Sequence, residues 1–278
     1  MPTKAKVYAQ VEMSAPLAHE SASPIDWNCE RYLKFESEPT RAARDLLAQI
    51  PRFEAKSVVD LGCGPGNSTE LLATAFPAAR LIGVDNSENM LATARHRVPM
   101  AEFVKDDIEH WKPQGSVDLI FANASLHFVV SHRALLPHLI SCLSKSGLLA
   151  VQMPRNTHEL SHAAMRMVAA DGPWAPRLVP VAKTRANIGP VDEYYNLLRP
   201  LCHELDIWET SYVYPLNGVD EVVQWFEGSG LRPFLELLSE DEQASFIDRY
   251  REKLDAYPRQ LDGKLLLRYP RLFFVLRK

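Results

Sequence analysis

The sequence predicts an α/β fold in which a Rossmann-like parallel sheet carries helices on both faces. Five apolar, strand-like segments alternate with helix-like segments between residues 57 and 151, and such alternation is typical of parallel sheets. A glycine-rich turn follows the first of these strands. The 278 residues are 46% hydrophobic, enough for one large domain or two small ones. Ligands of such sheets bind at the carboxyl ends of the strands, so the residues that end or follow each strand form the candidate site.

The elements can be placed along the chain from periodicity and breakers. A helix with its apolar residues on one side is predicted at Thr40–Ile50, closed by Pro51. The predicted strands are Ser57–Leu61, Arg80–Val84, Glu102–Val104, Val117–Phe121 and Leu148–Val151, and the intervening helices are Ser68–Ala75, Ser87–Arg97 and Ala134–Leu143. Two further strands are predicted at Leu205–Tyr214 and Arg271–Leu276, on either side of a helical stretch, Val219–Tyr257.

The end of the first strand carries the clearest chemical signal. Its glycines are spaced Gly62-x-Gly64-x-Gly66, and Asp85 stands nineteen residues further on, at the end of the second strand. Glycines let the chain turn tightly and let a ligand approach the backbone, and a carboxylate at this distance suits a ribose diol. Asn67 and Glu70 have the spacing of a capping box for the next helix. The pattern therefore predicts a nucleoside site.

A dinucleotide is the main alternative ligand for such a turn. Its fingerprint would place a third glycine at position 67, which is Asn67. Asp60, inside the strand end, would repel a pyrophosphate but can face an ammonium group. A glycine turn without any ligand is disfavoured because Asp85 arrives at the right distance. The turn therefore favours a nucleoside that carries an amino group.

Asp60-Leu61-Gly62-Cys63-Gly64-Pro65-Gly66 resembles motif I of the class I S-adenosylmethionine (SAM) methyltransferases. A wider resemblance, to the trans-aconitate 2-methyltransferases, extends from Asp26 to the C-terminus. It is carried by Asp26-Trp27-Asn28 with Tyr32-Leu33 and Phe35, by Leu119–Leu126, by Leu149–Pro154 with Asn156, by Asp206–Trp208, by Gly230–Pro233, by Arg249-Tyr250 and by Pro270–Phe273. The glycine motif is common to many methyltransferases, whereas the C-terminal segments are more specific.

The resemblance implies a class I methyltransferase sheet of seven strands, the last antiparallel, in a domain at residues 26–278. Helical substrate-lid insertions are expected at about 154–200 and 217–268, and a disordered tail at 1–25. The implied reaction is transfer of the SAM methyl group to a carboxylate of trans-aconitate or a similar small polycarboxylate, in the cytoplasm. Arg155 stands where an acid is expected, His127 where a glutamine is expected, and Asp171–Pro190 matches poorly. Another small acid, a secondary metabolite, or SAM binding without catalysis therefore remain as alternatives.

The cofactor site is predicted from the strand ends. Asp107 and Ile108, after the third strand, suit an adenine, and Trp27 and Tyr32 are expected to close over the sulfonium end. The full predicted set is Trp27, Tyr32, Asp60, Gly62, Gly64, Gly66, Asp85, Asn86, Met90, Asp107, Ile108, Asn123 and Leu126.

The substrate site is predicted from arginines in apolar surroundings, because a guanidinium binds a carboxylate through two hydrogen bonds. The candidates are Arg232, Arg271 and Arg166, with Tyr195 and Trp225 as lining aromatics. Ion pairing is the alternative for each arginine, and core packing for each aromatic. No catalytic base is expected, since a carboxylate with a pKa of ~4 is ionised at neutral pH. His127 is the candidate base if the nucleophile is instead a phenol or an amine.

Other classes of function receive less support. The net charge of −4 argues against nucleic acid and anionic membrane partners, and no apolar run approaches the ~20 residues of a membrane span. Four distant cysteines indicate neither a disulfide framework nor a zinc ribbon. His158-Glu159-Leu160-Ser161-His162 matches H-E-x-x-H, but no third ligand follows at the expected spacing, and we interpret it as a helix start with a solvated face. No metal is predicted, and a monomer or homodimer is expected.

Overall fold

The structure, a computed structural model, describes residues 37–184 and 188–278. The predicted tail and the residues Trp27 and Tyr32 lie outside the described residues. The strands are β1 (Ser57–Leu61), β2 (Arg80–Asp85), β3 (Glu102–Lys105), β4 (Val117–Asn123), β5 (Leu143–Pro154), β6 (Glu204–Leu216) and β7 (Leu265–Arg277). The helices are α1 (Ser37–Ala48), α2 (Asn67–Ala75), α3 (Glu88–Arg97), α4 (His132–Cys142), α5 (Leu160–Ala170), α6 (Ala175–Thr184), α7 (Val191–Leu198), α8 (Val219–Glu227), α9 (Arg232–Leu235) and α10 (Glu240–Leu254).

The seven strands form one sheet in the order β3-β2-β1-β4-β5-β7-β6. Strands β1 to β5 pair in parallel, and β7 is antiparallel to both of its neighbours. The parallel strands are buried on both sides, which explains apolar runs such as Val58-Val59. All five carboxyl ends lie at one edge of the sheet, and β7 begins there because it runs the other way. That edge is where a ligand is expected.

The two faces of the sheet carry different helices. The first face presents Phe121 and Phe273 to a cluster that contains residues of α1, α2, α5, α6, α8 and α10. The second face presents Ile120 and Phe274 to a smaller cluster built from α4 and α7. Most of the inserted helices therefore extend the core of the first face. Within the part of the chain that the structure describes, no helix has the length and apolarity needed to cross a bilayer.

Two predicted local features are wrong. Gly66, with φ of +91°, is the N-cap residue of α2, and no side chain caps that helix. The amide of Asn67 instead donates to Thr40 Oγ1 of α1 at 2.9 Å, a tertiary bond that replaces the capping box. Leu143, predicted to end a helix, begins β5, since α4 stops at Cys142.

The second insertion also ends earlier than predicted, because β7 begins at Leu265 instead of Arg271. Its first residues pair with β6 in an antiparallel ribbon that continues without a break to Leu216. Pro270, which suggested a strand boundary, lies inside this ribbon, and its carbonyl oxygen accepts a hydrogen bond from Arg155 N at 2.8 Å. Proline lacks an N–H donor but keeps its carbonyl acceptor, which is used here, and the strand runs through it.

Candidate functional site

The glycine turn requires glycine for two separate reasons. Gly62, Gly64 and Gly66 have φ of +79°, +53° and +91°, values that L side chains rarely adopt. A Cβ at position 62 would also lie 2.2 Å from Ser125 Cβ, whereas a Cβ at position 64 would meet no atom within 4 Å. The loop after β4 therefore packs directly on the first glycine. Ser125 completes this contact by donating from Oγ to Leu61 O at 2.7 Å.

Asp85, the last residue of β2, holds the turn in place. Its Oδ2 accepts from Gly64 N and its Oδ1 from Ser87 N, both at 2.9 Å. Burial raises the pKa of the Asp85 carboxyl, and these backbone donors oppose that rise. The spacing correctly placed Asp85 beside the turn, while its contact with a ribose stays a prediction.

Asp60 is a fully buried carboxylate at the end of β1. Its Oδ2 accepts from Ser68 Oγ at 2.8 Å and from Thr69 Oγ1 at 2.6 Å. Its Oδ1 is buried and has no hydrogen-bond partner among the described residues. Burial raises the pKa of Asp60 to about 6, against the lowering effect of the two hydroxyls. Such a group is stabilised when a cationic donor reaches Oδ1.

The loop after β4 closes the site from the other side. Asn123 and Leu126 are buried, and Ala124 has a positive φ of +52°. His132 of α4 supports this loop, since its Nε2 lies 2.8 Å from Leu126 O and must donate to it. Its Nδ1 therefore accepts from Tyr194 Oη, at 2.5 Å. Burial lowers the pKa of His132, which keeps the ring neutral as this arrangement requires.

The remaining predicted cofactor residues are spread around the turn. Ile108 is half-buried, and its Cδ1 is 3.2 Å from the place of a Cβ on Gly62. Met90 is buried in α3, whereas Asn86 and Asp107 are exposed. Asp107 Oδ1 accepts from Glu109 N at 2.8 Å, so this carboxylate stabilises its own turn. Ile108 is thus brought to the turn, and Asp107 faces solvent beside it.

A line of polar side chains crosses the first face at the carboxyl edge, and we name it the polar row. Its members are Asp85 of β2, Asp60 of β1, Asn123 of β4, Gln152 of β5 and Arg271 of β7. Registered pairs share a face, as do residues two apart in a strand. Asp60 is registered with Gly83 and Phe121, Asn123 with Gln152, and Gln152 with Phe273, so all five belong to one face. The charge along the row changes from acidic through neutral amides to basic.

Arg271 is a buried cation that has no counter-ion among the described residues. It is 3% exposed, and it forms no ion pair with any residue of the described chain. Its Nη1 donates to Gln152 Oε1 at 3.3 Å, and its Nε has no acceptor in residues 37–184 and 188–278. Its guanidinium carbon lies 4.6 Å and 5.5 Å from the ring centroids of Tyr269 and Tyr212, so the two rings supply part of the missing stabilisation.

The other predicted substrate residues have varied surroundings. Arg232 opens α9 and pairs with Glu236 one turn later, and Arg166 is half-buried on α5. Trp225 packs on Tyr214 and on Tyr269, which also contacts Arg271. Tyr195 is 45% exposed on α7, a helix that packs on the second face. Trp225 therefore lies one ring away from Arg271, and Tyr195 lies on the opposite side of the sheet.

The H-E-x-x-H segment is only partly solvated. His158 is exposed, but His162 is buried and packs edge-on against Phe226 with ring centroids 4.9 Å apart. The expected solvated face is wrong for His162, because α5 packs that side into the core of the first face. No group of three His, Cys, Asp or Glu residues in the described chain could hold a metal ion. The absence of a metal requirement stays a prediction.

Gln152 and Tyr212 are site residues that the sequence did not reveal. Gln152 is a fully buried polar residue at the end of the apolar run Leu148–Val151, and that interruption was an available signal. Tyr212 and Tyr269 meet because they are registered partners in β6 and β7. That pairing cannot be deduced before the register is known.

The comparisons with known proteins agree with this architecture. Residues 58–147 match a family described as Methyltransferase domain. A trans-aconitate 2-methyltransferase of Variovorax paradoxus (strain S110) is 48% identical over 256 residues, covering 91% of this chain and 99% of that protein. One of Yersinia pestis (strain Pestoides F) is 46% identical over 251 residues, covering 90% and 97%.

Solved structures are similar in fold. The YcgJ protein of Bacillus subtilis gives a TM-score of 0.57 at 13% identity, over 87% of this chain and 98% of that one. A putative methyltransferase from Bacillus halodurans C-125 gives 0.57 at 12% identity, over 86% and 99%. The predicted α/β sheet of the class I methyltransferases is confirmed.

Proposed function

This chain belongs to the trans-aconitate 2-methyltransferase family, and we propose that it forms a monomethyl ester on a carboxylate of trans-aconitate or a closely similar polycarboxylate. SAM is the methyl donor. The observation that carries this proposal is the charge order of the polar row. SAM is cationic at its sulfonium and amino groups, and the acid is a polyanion. Acidic side chains at the β2–β1 end and Arg271 at the β7 end match the two substrates in order.

The residues present fit SAM. The unpartnered Oδ1 of Asp60 suits the ammonium group of the methionine part, and Asp85 suits the ribose diol. The turn offers close approach to the backbone, and Ile108 offers an apolar surface to the adenine. The proposed SAM site also includes Trp27 and Tyr32, which lie outside the described residues. Its remaining members are Gly62, Gly64, Gly66, Asn86, Met90, Asp107, Asn123 and Leu126.

The chain's contribution to catalysis is orientation and exclusion of water. Bound SAM supplies an electrophilic methyl carbon, and a carboxylate oxygen is already an ionised nucleophile, with a pKa of ~4. No side chain therefore needs to remove a proton. Arg271, with Arg232 and Arg166 as further proposed contacts, holds carboxylates that do not react, and Trp225 is proposed to line the pocket. Tyr195, on the opposite side of the sheet, is not part of this proposal. Positioning of this kind lowers the barrier by making the encounter intramolecular.

Labelled SAM and a panel of acids test the proposal. Wild-type enzyme should methylate a tricarboxylate such as trans-aconitate, and NMR of the product should show one methyl ester. Formation of S-adenosylhomocysteine only with phenols or amines would replace the proposed acceptor and would make His127 the candidate base. SAM binding without turnover of any acceptor would indicate a binding module.

The partners, the cellular location and the oligomeric state of the enzyme are also proposed. The net charge of −4 supports a small-molecule enzyme without nucleic acid or membrane partners. We further propose that it acts in the cytoplasm as a monomer or homodimer. Light scattering of the purified protein gives the oligomeric state, and a mass of four or more chains would contradict this expectation.

A further inference from the structure

We propose that Gln152 and Arg271 form a cradle for a carboxylate that is not methylated, so that the enzyme needs at least two carboxylates in its acid substrate. Gln152 is then the residue that sets this specificity. The inference rests on the proposed function and deepens it, because it separates the carboxylate that is held from the carboxylate that reacts.

Arg271 carries a charge that no described residue neutralises. Burying a guanidinium without a counter-ion is costly, and such groups in proteins are normally paired. Arg271 has two aromatic rings and one amide oxygen around it, but no carboxylate among the described residues. The positive charge is therefore available to an anionic ligand. A carboxylate is the anion that the proposed reaction brings to this edge of the sheet.

Gln152 is oriented by its hydrogen bond with Arg271. Its side chain is fully buried, and its Oε1 is occupied by Arg271 Nη1. The N–H groups of its Nε2 have no acceptor in the described chain, so they are available to a ligand. Arg271 Nε is a second buried donor without an acceptor in the described chain. It belongs to the guanidinium that donates to Gln152 Oε1. Two neighbouring donors beside a cation suit the two oxygens of one carboxylate.

Asn156 adds a third donor to the same neighbourhood. Its side chain is 2% exposed, and its Nδ2 has no hydrogen-bond partner among the residues described. It follows Pro154 by two residues, and Pro154 is the registered partner of Arg271. Three buried donors without acceptors thus collect where β5 ends and β7 begins, together with Arg155 Nε, whose guanidinium is already paired with Glu209. Buried donors are rarely left unpaired, so their concentration here indicates a ligand.

The cradle lies on the same face of the sheet as the proposed SAM site. Gln152 is registered with Asn123 in β4, on the face that carries Asp60. If the glycine turn and Asp85 hold the nucleoside over β1 and β2, as proposed, the methyl-bearing part of SAM would lie toward β4. The cradle lies one to two strand spacings beyond, roughly 5–10 Å. That distance suits two carboxylates of a short acid, one held and one facing the methyl group.

The choice of an amide at position 152 follows from the same electrostatics. A glutamate there would give Arg271 an internal counter-ion and repel a ligand carboxylate. Glutamine orients the guanidinium through its oxygen and leaves the charge to the ligand. Because Gln152 and Arg271 are buried, a carboxylate held between them is bound more strongly than at the surface.

Gln152→Glu is the sharpest test, since it changes charge and almost no volume. The KM for a tricarboxylate should rise at least 100-fold, the SAM dissociation constant should stay within twofold, and the melting temperature should rise because Arg271 gains an ion pair. Arg271→Lys, which keeps the charge but loses the paired geometry, should raise the KM about tenfold. Gln152→Leu removes both the Nε2 donors and the Oε1 that accepts from Arg271, without adding a charge. It should also raise the KM, and it covers the case in which the glutamate variant fails to fold.

Arg155→Gln is the matched control. Arg155 follows β5 directly, but its guanidinium pairs with Glu209. Its charge opposes the burial-driven rise in the pKa of Tyr194, which belongs to the core of the second face. This variant should keep the KM for the acid within twofold. In the wild type, a monocarboxylate should have a kcat/KM at least 100-fold below that of the tricarboxylate. Equal values for the two acids would overturn the cradle.

Calorimetry separates this inference from the proposed function. The probe is propane-1,2,3-tricarboxylate with S-adenosylhomocysteine present, so no turnover is needed. Binding by wild type that is lost in Gln152→Glu supports the cradle, even if no acid is ever methylated. Turnover of polycarboxylates by wild type, with unchanged KM in both Gln152→Glu and Arg271→Lys, would overturn the cradle and leave the proposed function standing.

Discussion

The two halves of the site are built from different materials. The donor half, between residues 58 and 87, uses backbone: three glycines with positive φ, and amide groups that donate to Asp85. The acid half uses side chains, and it gathers Gln152, Tyr212 and Arg271 from three strands. Backbone geometry can be changed only by changing the fold, whereas side chains can be exchanged singly. The donor half should therefore resist substitution, and the acid half should allow specificity to change.

Both halves nevertheless keep one buried charge that forms no ion pair within residues 37–184 and 188–278. Asp60 has an unpartnered oxygen and Arg271 an unpartnered nitrogen among the described residues. Each lowers the stability of the ligand-free protein, and each is matched by the opposite charge on its proposed ligand. Stability given up in this way is common at functional sites.

The largest effect is expected at Gly62. Gly62→Ala adds backbone strain of about 1–2 kcal/mol and a clash with Ser125 costing about 1–3 kcal/mol. Gly64→Ala has comparable strain but no clash, and it should cost about 1 kcal/mol. Urea unfolding of the SAM-free proteins measures both. Equal losses in the two variants would show that the loop after β4 does not constrain the turn.

The second effect concerns Asp60 and pH. Its pKa rises from 3.8 unfolded to about 6 folded, so the folded state binds more protons in that window and stability falls as pH rises through it. At pH 8 the cost of ionisation is about 3 kcal/mol. Asp60→Asn should recover about 2 kcal/mol of it, because an unsatisfied amide offsets roughly 1 kcal/mol.

Unfolding free energies measured at pH 5 and pH 8 test this expectation, and the gain should be much smaller at pH 5. SAM affinity should fall below pH 6 in the wild type and change little with pH in Asp60→Asn. A variant less stable than wild type at pH 8 would mean that Asp60 is already well compensated without a ligand.

Arg271→Met should be neutral or stabilising by about 1–2 kcal/mol in the ligand-free enzyme, because it removes a buried charge that lacks an ion pair. Thermal unfolding measures it. Arg155→Gln, which breaks a pair with Glu209, is the contrasting variant and should not stabilise. Strong destabilisation by Arg271→Met would place a structural role on this arginine.

A smaller effect is expected at Tyr212, whose hydroxyl donates to Asp45 of α1. Burial and that acceptor raise the pKa of Tyr212, so the hydroxyl stays protonated. Tyr212→Phe keeps the ring under Arg271 and should cost about 1 kcal/mol of stability, with SAM affinity unchanged. A loss of SAM affinity would show that α1 couples the two halves.

The smallest effect is expected for the pair between Arg80 and Glu102, where both side chains are more than half exposed. Arg80→Gln should leave the unfolding midpoint within experimental error at physiological salt, since exposed pairs are screened. A clear loss would indicate that β3 depends on this pair for its place at the sheet edge.

The same contrast explains what the sequence could predict. Gly62 and Asp85 were found because the turn is local and its chemistry demands particular residue types. Arg271 was found from its apolar context, but the role of Gln152 depends on register with Asn123 and Phe273.

The errors also came from contacts between distant residues. Asn67 has the type and spacing of a cap, yet Thr40, 27 residues away, takes its amide. The sequence predicts a solvated face for His162, but Phe226 covers its ring. Phe226 belongs to the second insertion, so local spacing does not reveal this contact. Local patterns predict local structure, and these residues are governed by tertiary partners.

The central claim is that the polar row assigns the cationic donor to one end and the anionic acid to the other. Calorimetric titration of two ligands into two variants tests it most directly. Asp60→Asn should weaken SAM binding about 10–100-fold and leave propane-1,2,3-tricarboxylate binding, measured with S-adenosylhomocysteine bound, within threefold. Arg271→Met should weaken tricarboxylate binding about 10–100-fold and leave SAM binding within threefold. Equal loss of both ligands in both variants, or SAM affinity unchanged in Asp60→Asn, would contradict the account.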